Sequence, residues 1–400
     1  MIHNRYRSAQ PSGENTVVRE EDSLLRAGGC SVERLEVESD DIAGRSYVGR
    51  AALPGQVVWS RQGRRLVVEA IGRYAPDIVH FHNTFPLLSP AAIRAAHATG
   101  TPVVLTLHNF RPLCAGGSFL RDGRVCERCL GASAPYAALR HGCYRDSKIA
   151  SAPLVAMSAV HRRLGTWTSC VDRLIVPSAF ARDKYLAAGW PSDLFEVKPN
   201  TARVVGAVRS GPGTGFVAVA RLSVEKGVDL LIDAWRLAFP EGDEQLTIVG
   251  SGELEAELRA RAGGVSGITF TGALPYPETR ELLSRARALV VPSRCFEVFP
   301  RAIPEAFGSG VPVVAFRLGA LAQLVEDGVT GLLAEAGSPQ SLAKALKRLS
   351  DDPELAEDLG RSARTRYDQT LAPDVTTRQL IEVYRAVIAG RTEEAAASAC

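Results

Sequence analysis

The sequence holds no stretch near the roughly 20 consecutive apolar residues that a membrane-spanning helix needs. Its first residues, Met1 to Arg7, carry no apolar core of the kind a signal peptide has, so none is expected. Charge of one sign is also scarce. Against 47 Lys and Arg stand 44 Asp and Glu, a formal +3 that argues against a dedicated nucleic-acid binder. Cysteine, eight in 400 residues, is too thin for a disulfide-stapled secreted fold, so reduced thiols and a cytoplasmic location are expected. No Asp-x-Asp occurs, which removes the obvious carboxylate clamp for a divalent cation on a diphosphate. Apolar residues, by contrast, make up 46% of the chain, enough for a large core; a mainly disordered or collagen-like chain is excluded.

Short β-branched runs alternate with amphipathic stretches almost throughout. Asp77–His82, Pro102–Leu107 and Arg173–Pro177 read as buried parallel strands, and Gly215–Ala220, Leu246–Val249, Ile268–Thr271, Ala288–Val291 and Val311–Ala315 repeat the theme. Between them, Val228, Leu231, Ile232 and Trp235 recur at helical spacing. Strand–helix alternation implies crossover connections, and so many strands imply two doubly wound, Rossmann-like α/β domains facing a cleft. The expected boundaries are an N-terminal domain over 1–198, a linker over 199–214 ending in Gly211-Pro212-Gly213, and a C-terminal domain over 215–372. Residues 373–400 should form a last helix and a frayed tail, packing back toward the first domain. The first half carries 25 basic against 18 acidic residues and the second 22 against 26. That asymmetry, with Trp59, Arg61, Arg64, Arg65 and Arg73, suggests peripheral contact with an anionic membrane face or a lipid-diphosphate acceptor; a solvated basic face is the alternative.

Ligands of such folds bind beyond the carboxyl ends of the strands. After the run Ala288–Val291 stand two carboxylates eight positions apart, Glu297 in the loop and Glu305 in the following helix. The backbone opening that helix, Phe299 to Ala302, offers N–H groups to an anion. Glu297 can accept from sugar hydroxyls and Glu305 can chelate a ribose diol; the plainer reading is two exposed carboxylates, one stabilising a helix start. Arg221 and Lys226 follow another strand, where cations can neutralise phosphates, the alternative being a solvated Lys and an Arg paired with Glu225. Gly250 and Gly252 allow a tight turn beside a nucleotide base or mark an ordinary loop. In the first half, His108 and His82 sit at strand ends, whereas His97 and His161 lie on helical stretches and read as structural.

Glu297-x7-Glu305, Ala220-Arg221 through Lys226-Gly227, Val249-Gly-Ser-Gly252, Pro177-Ser-Ala-Phe and the tract Val311 to Gly331 occur in one order. Together they resemble the retaining family 4 (group 1) glycosyltransferases of GT-B architecture. The resemblance spans nearly the whole chain and does not specify the sugar. It implies that Arg221 and Lys226 grip the donor diphosphate, that the Phe299–Pro300–Arg301 segment touches sugar and phosphate, that Glu297 touches the transferred sugar and that Glu305 touches ribose. It also implies that His108 contacts the donor sugar near the anomeric carbon. The loop Ser12-Gly13-Glu14-Asn15 would approach the donor phosphate or the acceptor; family members often carry a glycine pair there, and this chain has only Gly13. Pro300 stands where many relatives have Gly, and the first strand looks clipped.

Activity is therefore expected as transfer of a hexosyl or N-acetylhexosaminyl unit from a UDP- or GDP-sugar to a hydroxyl of a glycan, lipid-linked or small-molecule acceptor. Retention is implied by the resemblance, and no cofactor is expected for catalysis. With no nucleophile evident, a same-face substitution assisted by the departing phosphate oxygen is favoured. The rivals are a GT-B nucleotide-sugar epimerase and a catalytically silent nucleotide-sugar-binding protein. Separately, Cys114, Cys126, Cys129 and Cys143 fall in one loop-rich insert, 110–145, with Cys126-x2-Cys129 at knuckle spacing. Four thiolates suit a closed structural zinc site; four free thiols, or a redox pair at Cys126 and Cys129, are the alternatives.

Overall fold

Runs such as Val-Val-Leu-Thr and Leu-Thr-Ile-Val are too short and too apolar on both faces to form surface helices, and each becomes a strand covered on both sides. The computed structural model describes residues 1–6, 13–204, 206 and 208–398, with side chains through residue 393. The expected position of Ser12, part of the 199–214 linker and the end of the tail with Cys400 lie outside the described residues.

The chain divides into two units. The first comprises 1–119, 126–201 and 373–400; the second comprises 120–125 and 202–372. The strands, in chain order, are β1 Ile2–Arg5, β2 Leu35–Glu38, β3 Val79–Asn83, β4 Val103–Thr106, the hairpin pair β5 Leu120–Arg121 and β6 Arg124–Val125, β7 Arg173–Val176 and β8 Phe195–Val197. They continue as β9 Phe216–Val219, β10 Leu246–Val249, β11 Ile268–Gly272, β12 Ala288–Val291, β13 Val313–Phe316 and β14 Gly331–Ala334. Although only four residues long, β1 is a central strand, paired in parallel with both β2 and β3.

The first unit's sheet runs β2-β1-β3-β4-β7-β8 and the second's runs β11-β10-β9-β12-β13-β14. Every pairing within them is parallel. The order reverses between β1 and β3 in one and between β9 and β12 in the other, and these are the two switch points at which a doubly wound sheet opens a crevice.

In the second unit the helix Val228–Ala238 lays Leu231, Ile232 and Trp235 on the sheet against Phe216, Leu246 and Val290. Trp235 is fully buried, and cutting it to alanine would cost about 3–5 kcal/mol. In the first unit the last helix, Pro373–Ser398, contributes Leu380 and Val387 to a cluster with Leu25, Val104 and Ile175. Its Arg391 reaches Asp172 at 2.6 Å, so this helix is part of the first unit. The hairpin β5–β6, inside the cysteine-rich insert, groups with the second unit. Among the described residues no helix is long and apolar enough to cross a membrane.

Candidate functional site

At the switch point of the second unit, two loops that are 71 residues apart in sequence lie against each other. After β9 the chain makes a short 3₁₀ turn, Val224–Lys226, and closes it with Gly227 at φ +65°. A Cβ on Gly227 would stand 2.1 Å from the carbonyl oxygen of Pro292, just past β12, so only glycine lets the loops approach this closely. The amide of Arg294 donates to the carbonyl of Glu225 at 3.0 Å, and its guanidinium pairs with Asp229.

This stitching sets Lys226 beside Glu297. The ammonium donates to Glu297 Oε1 at 2.6 Å, and Ser293 Oγ donates to the same oxygen at 2.9 Å. Burial alone would lower the Lys226 pKa, but the carboxylate of Glu297, with further help from Cys295 and Glu225, more than offsets it and holds the ammonium above its usual value. Burial and the Glu297 charge push the neighbouring Cys295 thiol well up, so it stays protonated. Arg221 pairs with Glu225, the arrangement the sequence offers as the plainer alternative, and its Nε also donates to Ser223 Oγ at 3.3 Å. Both cations are thus already matched by carboxylates.

Neither member of the acidic pair is the exposed carboxylate of the plainer reading. The Glu297 side chain is 13% exposed and Glu305 is buried. Glu305 lies in the helix Ala302–Gly308 and accepts from the guanidinium of Arg301 at 3.0 Å, while its backbone carbonyl accepts from buried Arg280 at 2.7 Å. Phe299 is buried, and Pro300 and Arg301 are half-buried. Gly250 and Gly252 do more than allow a turn. A Cβ on Gly250, whose φ is +140°, would meet the Ala220 carbonyl oxygen at 1.9 Å, and one on Gly252 would meet that of Leu222 at 2.3 Å. The loop after β10 therefore rests flush on the loop that carries Arg221.

In the first unit, polar side chains gather at the ends of β1, β3 and β4. His80 and His82, two apart on β3, share a face and are both buried. Half-buried His108, two residues beyond β4, points its Nε2 at His82 Nδ1, 3.0 Å away. Burial, reinforced by nearby His3 and Lys198, pushes His108 down to about 3, so its imidazole is neutral at physiological pH. His108, His82, Phe85 and Arg111 line a concavity in this unit. Gly13 is exposed at the start of the helix Gly13–Ala27. Asn15 is engaged in supporting the end of β1: its Oδ1 accepts from the Tyr6 amide at 3.3 Å and lies 2.9 Å from His3 Nε2. Burial raises Glu14 to about 8, against the opposing pull of Arg111 and Tyr6.

Sequence reasoning missed Glu21 and Lys198, which form a buried ion pair behind these histidines. A signal existed, since Glu21 shares the buried face of its helix with Val17, Val18 and Leu25. No disulfide joins Cys114, Cys126, Cys129 and Cys143, all of which belong to the first unit. Burial and the other three thiols push Cys129 up to about 11. Among the described residues, the group whose ligand atoms all lie within 4.8 Å of one another is Glu21, His80 and His82; the four sulfurs are gathered less tightly.

Known proteins match both halves of the chain. The family model described as a glycosyl transferase 4-like domain matches residues 9–201, and the one described as glycosyl transferases group 1 matches residues 213–352. A 2-deoxystreptamine glucosyltransferase of Streptomyces kanamyceticus is 27% identical over 82% of this chain and 85% of its own length. The amylovoran biosynthesis glycosyltransferase AmsK of Erwinia amylovora is 32% identical over 42% of this chain. The chain spans less than half the length of that relative and of the mycobacterial glycogen synthases it also matches, 44% and 45%. Among solved structures, Anabaena HepE in complex with UDP aligns at TM-score 0.63 and 18% identity over 96% of this chain and 99% of its own. Sucrose-phosphate synthase from Thermosynechococcus elongatus aligns at 0.68 and 19% over 96% and 95%. With a 4-like domain and a group 1 domain in sequence, each built on a parallel doubly wound sheet, the chain belongs to the family 4, group 1 glycosyltransferases of GT-B fold.

Proposed function

We propose that the chain is a retaining glycosyltransferase that moves a sugar from a nucleotide diphosphosugar to a hydroxyl of a glycan, lipid-linked or small-molecule acceptor. The observation that carries this reading is the meeting of Arg221, Lys226 and Glu297 at the switch point between β9 and β12, two cations and a carboxylate where a doubly wound sheet takes its ligand. A donor diphosphate would replace Glu225 and Glu297 as partner of the two cations, which would then offset the charge that develops on the leaving group. Glu297, released from Lys226, becomes free to accept from hydroxyls of the transferred sugar, with Glu305 on the ribose side and His108 against the sugar. The acceptor hydroxyl loses its proton to the departing phosphate oxygen as the new glycosidic bond forms on the same face. Structural neighbours bound to UDP and UDP-glucose support a uridine nucleotide as the first donor to test.

The chemistry of the donor set also fits a structural zinc on Cys114, Cys126, Cys129 and Cys143, whose binding would draw the four thiols together as thiolates.

The test is incubation with UDP- and GDP-sugars, reading nucleotide release, sugar isomerisation and thermal shift side by side. Nucleotide release that speeds up with a hydroxyl acceptor, with the product anomer matching the donor, is the expected result. An isomerised sugar without acceptor makes the chain an epimerase. A melting shift with no turnover for any donor makes it a binding protein.

A further inference from the structure

Behind His108 runs a line of buried groups that the reaction does not itself require. His82 Nδ1 is 3.0 Å from His108 Nε2, with the rings stacked at 5.3 Å and 16°. On its far side, His82 Nε2 faces Glu21 Oε2 at 3.7 Å. The His82 side chain is wholly covered and that of Glu21 is 3% exposed. Neither of the two facing atoms has a hydrogen-bond partner, so each is the nearest opposite charge or donor the other can turn to. The other oxygen of Glu21 accepts from the ammonium of Lys198, a buried ion pair in a place where an unpaired charge would be very costly.

One hydrogen bond between two neutral imidazoles needs one protonated and one bare nitrogen. The carboxylate decides which. A proton on His82 Nε2 is attracted to Glu21, whereas a lone pair there would face a negative oxygen. The proton therefore sits on Nε2 and His82 Nδ1 is bare. His108 must then carry its proton on Nε2 and donate, which leaves its Nδ1 as an acceptor. His80 is not part of this choice, because both its nitrogens are committed, Nδ1 to Tyr384 at 2.6 Å and Nε2 to Thr106 at 2.8 Å. The same commitments, with the Lys198 ammonium alongside, disfavour a metal ion among Glu21, His80 and His82.

We infer that Glu21 and His82 are positioning residues that fix His108 as its Nε2–H tautomer, so that its Nδ1 accepts a hydrogen bond from a hydroxyl of the donor sugar. The choice of a sugar hydroxyl as ligand rests on the proposed function; the tautomer does not. With His82 buried, His108 half-buried and the Lys198 ammonium near both, the chain of groups works without either histidine becoming charged.

The test is ¹⁵N NMR of the imidazoles in the full-length protein, with and without UDP-sugar. His108 Nε2 should read as pyrrole-like and Nδ1 as pyridine-like in the free wild-type protein; the reverse assignment overturns the inference without any variant. Glu21→Gln removes the charge that selects the tautomer and should give a mixture, with kcat/KM for the donor down about tenfold. His82→Asn, whose amide oxygen can accept from His108 Nε2–H, should retain most activity, whereas His82→Phe should lose it as Glu21→Gln does. Equal activity of His82→Asn and His82→Phe would also overturn the inference. If the wild-type tautomer is as stated but donor leaves the His108 signals unmoved, the tautomer assignment stands and the role of His108 in the proposed function falls.

Discussion

The contact between Lys226 and Glu297 is the best place to measure how the second unit holds its cations. At 2.6 Å, with an effective dielectric of about 20, the gross attraction is about 6 kcal/mol, most of which is offset by taking both groups out of water. Side-chain exposures of 26% and 13% put the pair between surface and core, so a net coupling of about 1–3 kcal/mol is expected. Lys226→Met and Glu297→Gln should each destabilise the ends of β9 and β12 by about 2 kcal/mol, because each leaves a partly buried partner behind. The double variant should cost little more than either alone. Hydrogen exchange of the segment from β12 through the helix Ala302–Gly308 reads this locally, which avoids treating a two-unit chain as a single unfolding transition. The same variants separate structure from donor binding. Lys226→Met should weaken UDP binding at least tenfold, while Glu297→Gln, which frees the ammonium from its carboxylate, should leave UDP affinity equal or higher. Additivity of the two stability losses to within about 0.5 kcal/mol would refute the coupling, and equal loss of UDP affinity in both variants would refute the exchange of carboxylate for phosphate.

Three further outcomes are expected. Gly250→Ala should cost more than about 3 kcal/mol or displace the loop, because its Cβ would overlap the Ala220 carbonyl, while Gly272→Ala, at φ +74° with nothing within 4 Å, should cost only about 1–2 kcal/mol; similar melting temperatures would count against the packing argument. His108 stays neutral when folded but protonates near 6.5 when unfolded, so its stability contribution is intact above pH 6.5 and is lost as pH falls toward about 3. Between pH 7.5 and 5.5 the wild type should therefore lose about 1.4 kcal/mol more than His108→Gln, and parallel pH–stability curves would contradict this. Metal analysis of the purified chain should find about one zinc per molecule, lost in Cys126→Ser and Cys129→Ser; a metal-free, equally stable protein would remove the zinc proposal.

The sequence made the interior strands legible because β4, β12 and β13 are covered on both faces and read as continuous apolar runs. It was silent on β2 and β8 for the complementary reason. Leu35-Glu-Val-Glu38 and Phe195-Glu-Val197 are outer strands of their sheet, partly exposed, and their charged positions look like turn or helix. The charged residues of the second unit's cluster were legible singly, and so was the pairing of Arg221 with Glu225, but the meeting of Lys226 with Glu297 was not. Lys226 follows β9 and Glu297 follows β12, and they meet only because β12 returns to lie beside β9 rather than beside β11. That adjacency is a property of sheet order, which no local pattern encodes.

Glu21 shows a subtler limit. Its position among Val17, Val18 and Leu25 marks it as buried, and a buried carboxylate requires a partner. Helical periodicity stops at that requirement, because the partner, Lys198, is 177 residues away, just past β8. His82 and Lys198 reach Glu21 from well-separated parts of the first unit's sequence, one near the end of β3 and one just after β8. Once that pairing is in place, the plain alternation of His80 and His82 on one strand takes on a different meaning. His80 is locked by Tyr384 of the chain's final helix and by Thr106 on β4, and is structural. His82 is locked on one side only, and on the other it touches the one histidine that lines the concavity with it. Two identical side chains two residues apart are thus given different work by what surrounds them. The polar partners of a histidine, more than its place at a strand end, decide whether it faces chemistry.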